Sequence, residues 1–227
     1  MSLKKSTLYW YFKRKRRKAN IRLGSHSQYG QDLKVYDLLG KPNHGVFVDI
    51  GANDGISGSN SLYFEEIGWS GICVEPNPSI HKQLQEHRKC QCINACITDE
   101  DGETDFLAIE GPAHMLSGIE AFMDERHLQR IDRELKEKGG SKQSIRIEMI
   151  SPKTLMNRCS IGKIDFLSVD TEGCELPILR TFHRTQAQIN VVSVENGSRS
   201  PELFRHMNAS GYQLECCVGC DEIYRKI

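Results

Sequence analysis

The sequence has no long hydrophobic run, and no apolar stretch approaches the roughly 18 to 20 residues that a membrane-spanning helix requires. It also has no internal repeat, and its one compositionally biased segment lies at the N-terminus. With 227 residues, of which 38% are hydrophobic, the chain is long enough for one sizeable core and short for two domains. We therefore expect one α/β domain over residues 25–227.

Disulfide and zinc frameworks are missing as well. The nine cysteines are an odd number, and the "CCVGC" stretch at 216–220 contains one CxxC pair without a second pair at finger-like spacing. Four others lie in strand-like apolar surroundings, where a thiol behaves as a small buried hydrophobe: Cys73, Cys90, Cys92 and Cys96. This usage favours a reducing compartment, so a cytoplasmic location is expected.

The chain has no net charge, but its charges are distributed unevenly. Residues 1–24 carry nine Lys or Arg and no Asp or Glu, which leaves 21 basic and 30 acidic residues in the remainder. The stretch "LYWYFKRKRRK" joins an aromatic patch to six consecutive cations, which would suit peripheral contact with an anionic membrane. A solubilising arm is slightly favoured over this membrane contact, and a nucleic-acid contact is a third interpretation. The acidic body disfavours nucleic acid as a substrate.

From residue 25 onward, strand-like and helix-like segments alternate, which is typical of a mostly parallel sheet covered on both faces. Seven strands are predicted at 46–50, 71–75, 91–97, 164–170, 189–195, 212–217 and 222–227. Helices are predicted at 59–67, 79–87, 151–158, 176–183 and 201–208. Because the last three strands lie close together along the chain, we expect the sheet to finish with an antiparallel hairpin.

One region interrupts this alternation. Residues 102–110 and 145–150 read as two extra strands that can pair with each other. Between them lies an insertion, 111–144, with a highly charged helical stretch at 119–138. Such an insertion is either a cap over an active site or a solvated decoration of the fold.

The glycine-rich turn after the first predicted strand lacks the dinucleotide fingerprint. Residues 51–56 read Gly-Ala-Asn-Asp-Gly-Ile, without the second and third glycines of GxGxxG. Asp49 at the strand end would repel a pyrophosphate and suits a cationic or zwitterionic group. Glu75 ends the second predicted strand, where a carboxylate can accept hydrogen bonds from both ribose hydroxyls. A nucleoside with a cationic centre, an amino-acid end and no phosphate fits both acids, and S-adenosylmethionine is that molecule.

Three stretches carry a more specific resemblance: "SQYGQD" at 27–32, "GVFVDIGANDGISGSNSLYFEEIGWSGICVEPNP" at 45–78 and "IDFLSVDTEGCELPIL" at 164–179. In this order they resemble the FkbM family of S-adenosylmethionine-dependent methyltransferases. The resemblance implies a class I methyltransferase (Rossmann-like) fold, with a seven-stranded, mostly parallel sheet whose last strand is antiparallel. It also implies methyl transfer usually to a hydroxyl oxygen, often in glycan or secondary-metabolite pathways.

The resemblance also assigns candidate cofactor residues. The methionine part would be held by Asp49, Gly51, Asn53 and Gly55, and the ribose by Glu75. Asn77 would touch the adenosine, and Asp99 would accept from the adenine amino group. The contact with the adenine ring would come from Cys96, Ile97 or Thr98. The residues of the opening motif would either close over the cofactor or cap the first helix: Gln28, Gln31 and Asp32.

A hydroxyl acceptor needs a base or a metal, because a protonated hydroxyl is a poor nucleophile. Asp170 at the end of the fourth predicted strand is the best base, and Glu172 follows it in "DTEG". The two carboxylates could share a proton, orient the acceptor or bind a divalent cation. We favour direct acid/base or orienting work over metal binding, because no third oxygen ligand is evident nearby in the sequence. Glu195, at the end of the fifth predicted strand, is the only strong candidate for one. His114, in the insertion, is either a base or a loop residue.

The sequence therefore predicts an O-methyltransferase that uses S-adenosylmethionine and acts on a sugar hydroxyl of a glycan or glycan precursor. A methyltransferase for proteins or small metabolites is the first alternative. The second is a binding module that has kept the fold and lost catalysis. The presence of Glu75 together with Asp170 and Glu172 argues against that second alternative.

Overall fold

The computed structural model describes residues 23–171, 173–197 and 199–227, so most of the N-terminal arm lies outside the described residues. The helices in these ranges are α1 (Gln31–Leu38), α2 (Leu62–Glu66), α3 (Pro78–His87), α4 (Glu125–Lys138), α5 (Pro152–Arg158), α6 (Glu175–Arg184) and α7 (Pro201–Ala209). The strands are β1 (Val46–Ile50), β2 (Ser70–Val74), β3 (Gln91–Ile93), β4 (Cys96–Ile97), β5 (Gly102–Glu110), β6 (Gly118–Ile119), β7 (Ser141–Ile150), β8 (Lys163–Val169), β9 (Gln188–Glu195), β10 (Tyr212–Val218) and β11 (Asp221–Lys226).

The larger sheet has seven strands in the order β10-β11-β9-β8-β1-β2-β3. Strand β1 pairs in parallel with β2 and β8, β8 pairs in parallel with β9, and β2 pairs in parallel with β3. The last strand, β11, is antiparallel to both of its neighbours, β9 and β10. The predicted seven-stranded sheet with an antiparallel last strand is therefore confirmed, and its parallel strands all end at one edge.

Both faces of this sheet are buried, which explains the continuous apolar runs of its strands. On one face, Phe47 of β1 and Phe166 of β8 pack in a core that includes Phe64 of α2. On the other face, Val48 and Leu167 belong to a second core that includes side chains of α6 and α7. Helices therefore cover both faces, as predicted.

A smaller sheet of four strands has the order β4-β7-β5-β6. Its centre is the predicted antiparallel pair, in register from Gly102 opposite Met149 to Glu110 opposite Ser141. One strand prediction is wrong: residues 91–97 form no single strand but divide into β3 of the large sheet and β4 of the small one. The physical reason lies at Asn94, whose side-chain amide donates to the backbone carbonyls of residues 75 and 76 and interrupts the ladder.

The predicted helix at 119–138 is wrong at its start. Residues 118 and 119 form β6, in which Ile119 pairs with Phe106 of β5, and a short 3-10 turn follows. Helix α4 begins only after Asp124, whose side chain accepts a hydrogen bond from the backbone N–H of His127 at 2.7 Å. A capping carboxylate at this position explains the later start.

The predicted helix at 59–67 is shorter than expected and is reduced to α2. The hydroxyl of Ser59 accepts hydrogen bonds from the backbone N–H groups of Ser61 and Leu62. This serine-stabilised turn competes with helix over the first residues of the segment.

Helix α4 packs on β5 through a small core of its own. Ile131 of α4 is fully buried among Leu107 and Ile109 of β5 and Leu116 of the connecting segment. A ring nitrogen of His127 donates to the carbonyl oxygen of Leu116 at 3.0 Å. Helix α4 thereby fixes the segment that follows β5. None of the helices in the described ranges has the length and apolar content needed to span a bilayer.

Candidate functional site

Acidic residues mark the edge where the parallel strands end. Glu75 follows β2, Asp170 follows β8, and Glu195 ends β9. Asp221, the first residue of the antiparallel β11, pairs with Glu195 and so lies at the same edge. In open parallel sheets this edge is where ligands bind. Within the described ranges, no group of three or more His, Cys, Asp and Glu side chains is arranged to hold a metal ion.

Gly51 begins the turn after β1 and lies against the end of β8. Its φ of 82° is in the left-handed region, and a Cβ at this position would stand 1.7 Å from the carbonyl oxygen of Asp170. The backbone N–H groups of Gly51 and Ala52 both donate to the carbonyl of Val74 at 3.0 Å. Only glycine permits this approach, which brings the turn next to Asp170.

A buried network braces the turn from behind. The hydroxyl of Ser61 donates to Asp49 at 2.5 Å, and the guanidinium of Arg88 donates to Ser61 and to the carbonyl of Gly55. Burial raises the pKa of Asp49, against the opposing effects of the Ser61 hydrogen bond and the Arg88 charge. Ser61 lies within the stretch at 45–78 that carries the family resemblance, but nothing in that stretch singles it out, and Arg88 lies outside all three such stretches.

Glu75 is held by the backbone on both sides. One carboxylate oxygen accepts from the N–H of Asn53 at 3.0 Å, and the other accepts from the N–H of Asn77 at 2.8 Å. Burial raises the pKa of Glu75 to about 7, although these two hydrogen bonds act in the opposite direction. Each oxygen keeps a second lone pair, so the carboxylate can also accept from ligand hydroxyls.

A cavity opens in front of this edge and encloses about 750 Å³ of non-atom space, part of it open to solvent. Six residues predicted from the sequence line it: Gly51, Asn53, Glu75, Ile97, His114 and Asp170. Much of the remaining wall is apolar, with contributions from Val74, Ala95, Cys96, Phe106 and Ile119. We call this space the nucleoside cavity.

A second cavity adjoins the first, and four residues line both: Gly51, Asn53, Met115 and Asp170. The rest of its lining is mostly polar and includes Gln28, Gln31, Asp49, Asn60, Glu195 and Asp221. Gln31 donates to the buried carboxylate of Asp221 at 2.7 Å. Sequence reasoning missed both Asn60, which lies within the stretch at 45–78 that carries the family resemblance, and Asp221, which lies outside all three such stretches. We call this space the polar cavity.

Three buried side-chain atoms in the walls of these cavities have no hydrogen-bond partner within the part of the chain that the structure describes. They are Nδ2 of Asn53, Oδ1 of Asn60 and Nε2 of His114. Buried polar atoms are nearly always paired in folded proteins. The described residues therefore leave the hydrogen-bonding capacity of these three atoms unused.

Two residues predicted to bind the cofactor, Asp32 and Asn77, line neither cavity and instead make hydrogen bonds that support the fold. Asp32 accepts hydrogen bonds from the hydroxyls of Ser25 and Ser27, which holds the segment that leads into α1. The side chain of Asn77 caps α3 and donates to the carbonyl of Ile109. The backbone N–H of Asn77 donates to Glu75 and its side chain donates to Ile109, so Asn77 links the nucleoside cavity to strand β5 of the small sheet.

Three further predicted residues lie elsewhere. Gly55 faces Arg88, and a Cβ there would come within 2.6 Å of the Arg88 side chain. Asp99 is exposed and lies outside the linings of both cavities. Glu172 falls outside the described residues.

The sheet order and the site at its edge define an S-adenosylmethionine-dependent methyltransferase. The family described as the methyltransferase FkbM domain matches residues 49–214. The chain belongs to this family. A comparison with curated proteins gives no match.

Solved methyltransferase structures are similar to this chain at low identity. A precorrin-6y C5,15-methyltransferase from Geobacter metallireducens has 11% identity and a TM-score of 0.46, over 87% of this chain and 86% of that one. A TehB-like methyltransferase from Corynebacterium glutamicum has 10% identity and a TM-score of 0.44, over 87% and 88%. TrmK of M. capricolum, in complex with S-adenosyl-homocysteine, has 7% identity and a TM-score of 0.39, over 85% and 66%.

The residues of the nucleoside cavity fit S-adenosylmethionine. The unpartnered amide of Asn53 is a donor suited to a carboxylate, and Glu75 offers buried acceptors for vicinal hydroxyls. The acidic edge, with Asp170 beside Gly51, suits a sulfonium and would repel a phosphate.

Proposed function

We propose that this chain methylates a hydroxyl oxygen of a sugar in a glycan or glycan precursor. The observation that carries the proposal is the junction of the two cavities at Asp170. One cavity has apolar walls with a ribose-type acceptor, and the other is lined by amides and carboxylates. Groups of the second kind hydrogen-bond readily to a polyhydroxylated acceptor.

The proposed arrangement follows the order of strands along the sheet edge. Glu75 holds the ribose, and Asn53 and Asp49 hold the carboxylate and the ammonium of the methionine part. Gly51 lets this part lie against the backbone, close to Asp170. The four residues common to both cavities then surround the place where methyl donor and acceptor meet.

S-Adenosylmethionine supplies, when bound, a methyl group activated by its sulfonium. Asp170 orients the acceptor hydroxyl and takes its proton as the new oxygen–carbon bond forms and the sulfur–carbon bond breaks. General-base action of this kind contributes typically about 10² to 10⁴ in rate. Met115, which lines both cavities, excludes water from the junction. Holding the methyl donor and the acceptor in the reactive geometry can lower the activation barrier by roughly 7 to 11 kcal/mol.

Glu195 and Asp221 are proposed to orient other hydroxyls of the acceptor from the far side of the polar cavity. Asp221 is 5% exposed, and burial raises its pKa, against the opposing hydrogen bond from Gln31. A carboxyl group whose pKa is raised can exchange between donor and acceptor roles more readily than an ordinary one.

The direct experiment is transfer of a labelled methyl group to a panel of monosaccharides, methyl glycosides, peptides and small metabolites. The expected product is an O-methyl sugar, identified by NMR. A product methylated on a peptide or on nitrogen would contradict the proposal. So would a chain that binds S-adenosylhomocysteine and transfers to none of the panel, since it would behave as the binding module.

The role of Asp170 is tested by Asp170→Asn. This variant should bind S-adenosylhomocysteine nearly as well as the wild type and lose about 10² to 10⁴ in turnover. The exposed Asp99→Asn is the matched control and should keep full turnover. Equal turnover in Asp170→Asn and the wild type would remove Asp170 from catalysis.

A further inference from the structure

We propose that His114 recognises the adenine base by accepting a hydrogen bond from its 6-amino group through Nε2. This inference rests on the proposed placement of the ribose at Glu75. It also reassigns His114, for which the sequence suggested a catalytic base, to a role in selecting the cofactor.

The direction of the nucleoside follows from the strand order. Along the sheet edge, β8, β1, β2 and β3 bring Asp170, Gly51, Glu75 and then residues 95–97 into line. A ligand whose ribose lies at Glu75 and whose reactive end faces Asp170 must extend its base toward residues 95–97. His114 lines this nucleoside cavity and is not among the residues of the polar cavity.

The hydrogen bonding of His114 determines which of its nitrogens can accept. Nδ1 lies 3.0 Å from the carbonyl oxygen of Gly111. A carbonyl oxygen only accepts, so Nδ1 carries the hydrogen, and Nε2 of the neutral ring presents a lone pair. Within the described ranges this buried Nε2 has no partner. It is therefore an acceptor that lacks a donor.

The base provides the missing donor. The 6-amino group of adenine is an N–H donor on the edge of the ring, whereas a 6-oxo group is an acceptor. An acceptor opposite Nε2 would leave two lone pairs facing each other in a cavity whose wall is largely apolar. Burial without a partner is costly in such surroundings.

Two nearby polar residues are poorer candidates for the same contact. The hydroxyl of Ser117 already donates to the carbonyl of His114 at 2.7 Å and accepts from the N–H of Ile109 at 3.0 Å. Asp99, which the sequence suggested for the amino group, is exposed and outside the cavity lining. His114 is better placed than either.

The test compares two nucleosides that differ at one position of the base. S-Adenosylhomocysteine carries the 6-amino group, and S-inosylhomocysteine carries a 6-oxo group. Isothermal titration calorimetry of the wild type should show preference for the amino compound by about tenfold or more. His114→Ala should weaken only the amino compound and bring the ratio of affinities close to one. His114→Gln, whose amide can present either a carbonyl or an NH₂ group, should bind both compounds with similar affinity.

Matched controls separate the hydrogen bond from changes in cavity shape. Met115→Ala removes an apolar side chain from the same wall, and Asp99→Ala removes the competing acceptor; both should keep the wild-type ratio. A wild-type ratio in His114→Ala, or a ratio that collapses in Asp99→Ala, would overturn the contact with adenine. A wild type that binds neither nucleoside would overturn the placement of the cofactor itself, which distinguishes the two failures.

Discussion

At the scale of single residues, the protonation of Glu75 links pH to cofactor binding. Its pKa is raised to about 7 by burial, and ribose hydroxyls are bound best by the ionised carboxylate. We therefore expect the affinity for S-adenosylhomocysteine to rise by about tenfold or more from about pH 5.5 to about pH 8. Calorimetry in buffers of different ionisation enthalpy should show proton release on binding below pH of about 7. Glu75→Gln should bind more weakly at every pH and show no such dependence.

The same carboxyl affects stability in the opposite direction. Its pKa is higher in the folded protein than the ordinary value of 4.5, so the folded state binds the proton more tightly than the unfolded chain. Without ligand, the free energy of unfolding should therefore fall as pH rises from about 4.5 to about 7, by on the order of 3 kcal/mol from this group. Urea titrations across this range measure it, with Glu75→Gln as the reference. A wild type whose pH profile matches that of Glu75→Gln would contradict the expectation.

Gly51 offers a residue-scale test of the contact between the glycine turn and Asp170. Gly51→Ala adds left-handed strain and a Cβ that would overlap the Asp170 carbonyl. Gly68 has a φ of 94°, and a Cβ there would meet no described atom within 4 Å, so Gly68→Ala adds the strain alone. We expect Gly68→Ala to cost about 1 to 2 kcal/mol and Gly51→Ala about 1 to 3 kcal/mol more. Urea unfolding of both variants is the measurement, and equal losses would show that the turn can move away from β8.

Which residues the sequence can identify depends on their position relative to strand ends. Glu75 and Asp170 were predictable because each directly follows an apolar strand, and all parallel strands end at one edge. Asp221 was not, since an antiparallel strand brings it to that edge from a distant part of the chain, and Asn60 was not, since its place in the loop after the glycine turn gives no sign that it reaches the edge. Arg88 was equally hidden, because its partners Ser61 and Gly55 are defined only by tertiary packing.

At the scale of elements, α4 holds the wall of the nucleoside cavity that carries His114 and Met115. Its Ile131 is fully buried against β5, whereas Leu128 on the same helix is 39% exposed. Ile131→Ala should destabilise this unit by about 2 to 5 kcal/mol, and Leu128→Ala should change stability by less than about 0.5 kcal/mol. The measurable results are faster hydrogen exchange over 111–140 and weaker binding of S-adenosylhomocysteine in Ile131→Ala only. An unchanged hydrogen-exchange rate over 111–140 in Ile131→Ala would show that α4 does not hold the cavity wall in place.

Strand periodicity predicted the elements of the large sheet well, because seven apolar runs leave little choice of partner once parallel order is assumed. Only part of the small sheet could be predicted from the sequence. The alternation of polar and apolar residues predicted the pair of β5 and β7, but β4 and β6 have two residues each and no recognisable pattern. Strand β4 is separate because Asn94 ends β3 by bonding to the backbone after β2, and β6 forms because Ile119 pairs with Phe106. Both are contacts between segments that are apart in the sequence.

At the scale of the whole molecule, the contrast between basic arm and acidic body stays a prediction about location. We expect the full chain to float with vesicles of phosphatidylglycerol and phosphatidylcholine, and residues 25–227 alone to remain at the bottom of the gradient. Pure phosphatidylcholine vesicles are the control, and added salt should release the full chain because the attraction is screened. Equal flotation of both forms would exclude the arm as a membrane contact.

The nucleoside cavity draws its two walls from different sheets: Gly51 and Glu75 come from the large one, and Ile119 comes from the small one. Each sheet is hydrogen-bonded within itself, so mutations can remodel one wall while the ladder behind the other stays intact. The small-sheet wall lies beside the proposed adenine contact, whereas the turn after β1 is proposed to hold the methionine part of the methyl donor. Changes in the small sheet can therefore alter the choice of base while that turn keeps its shape.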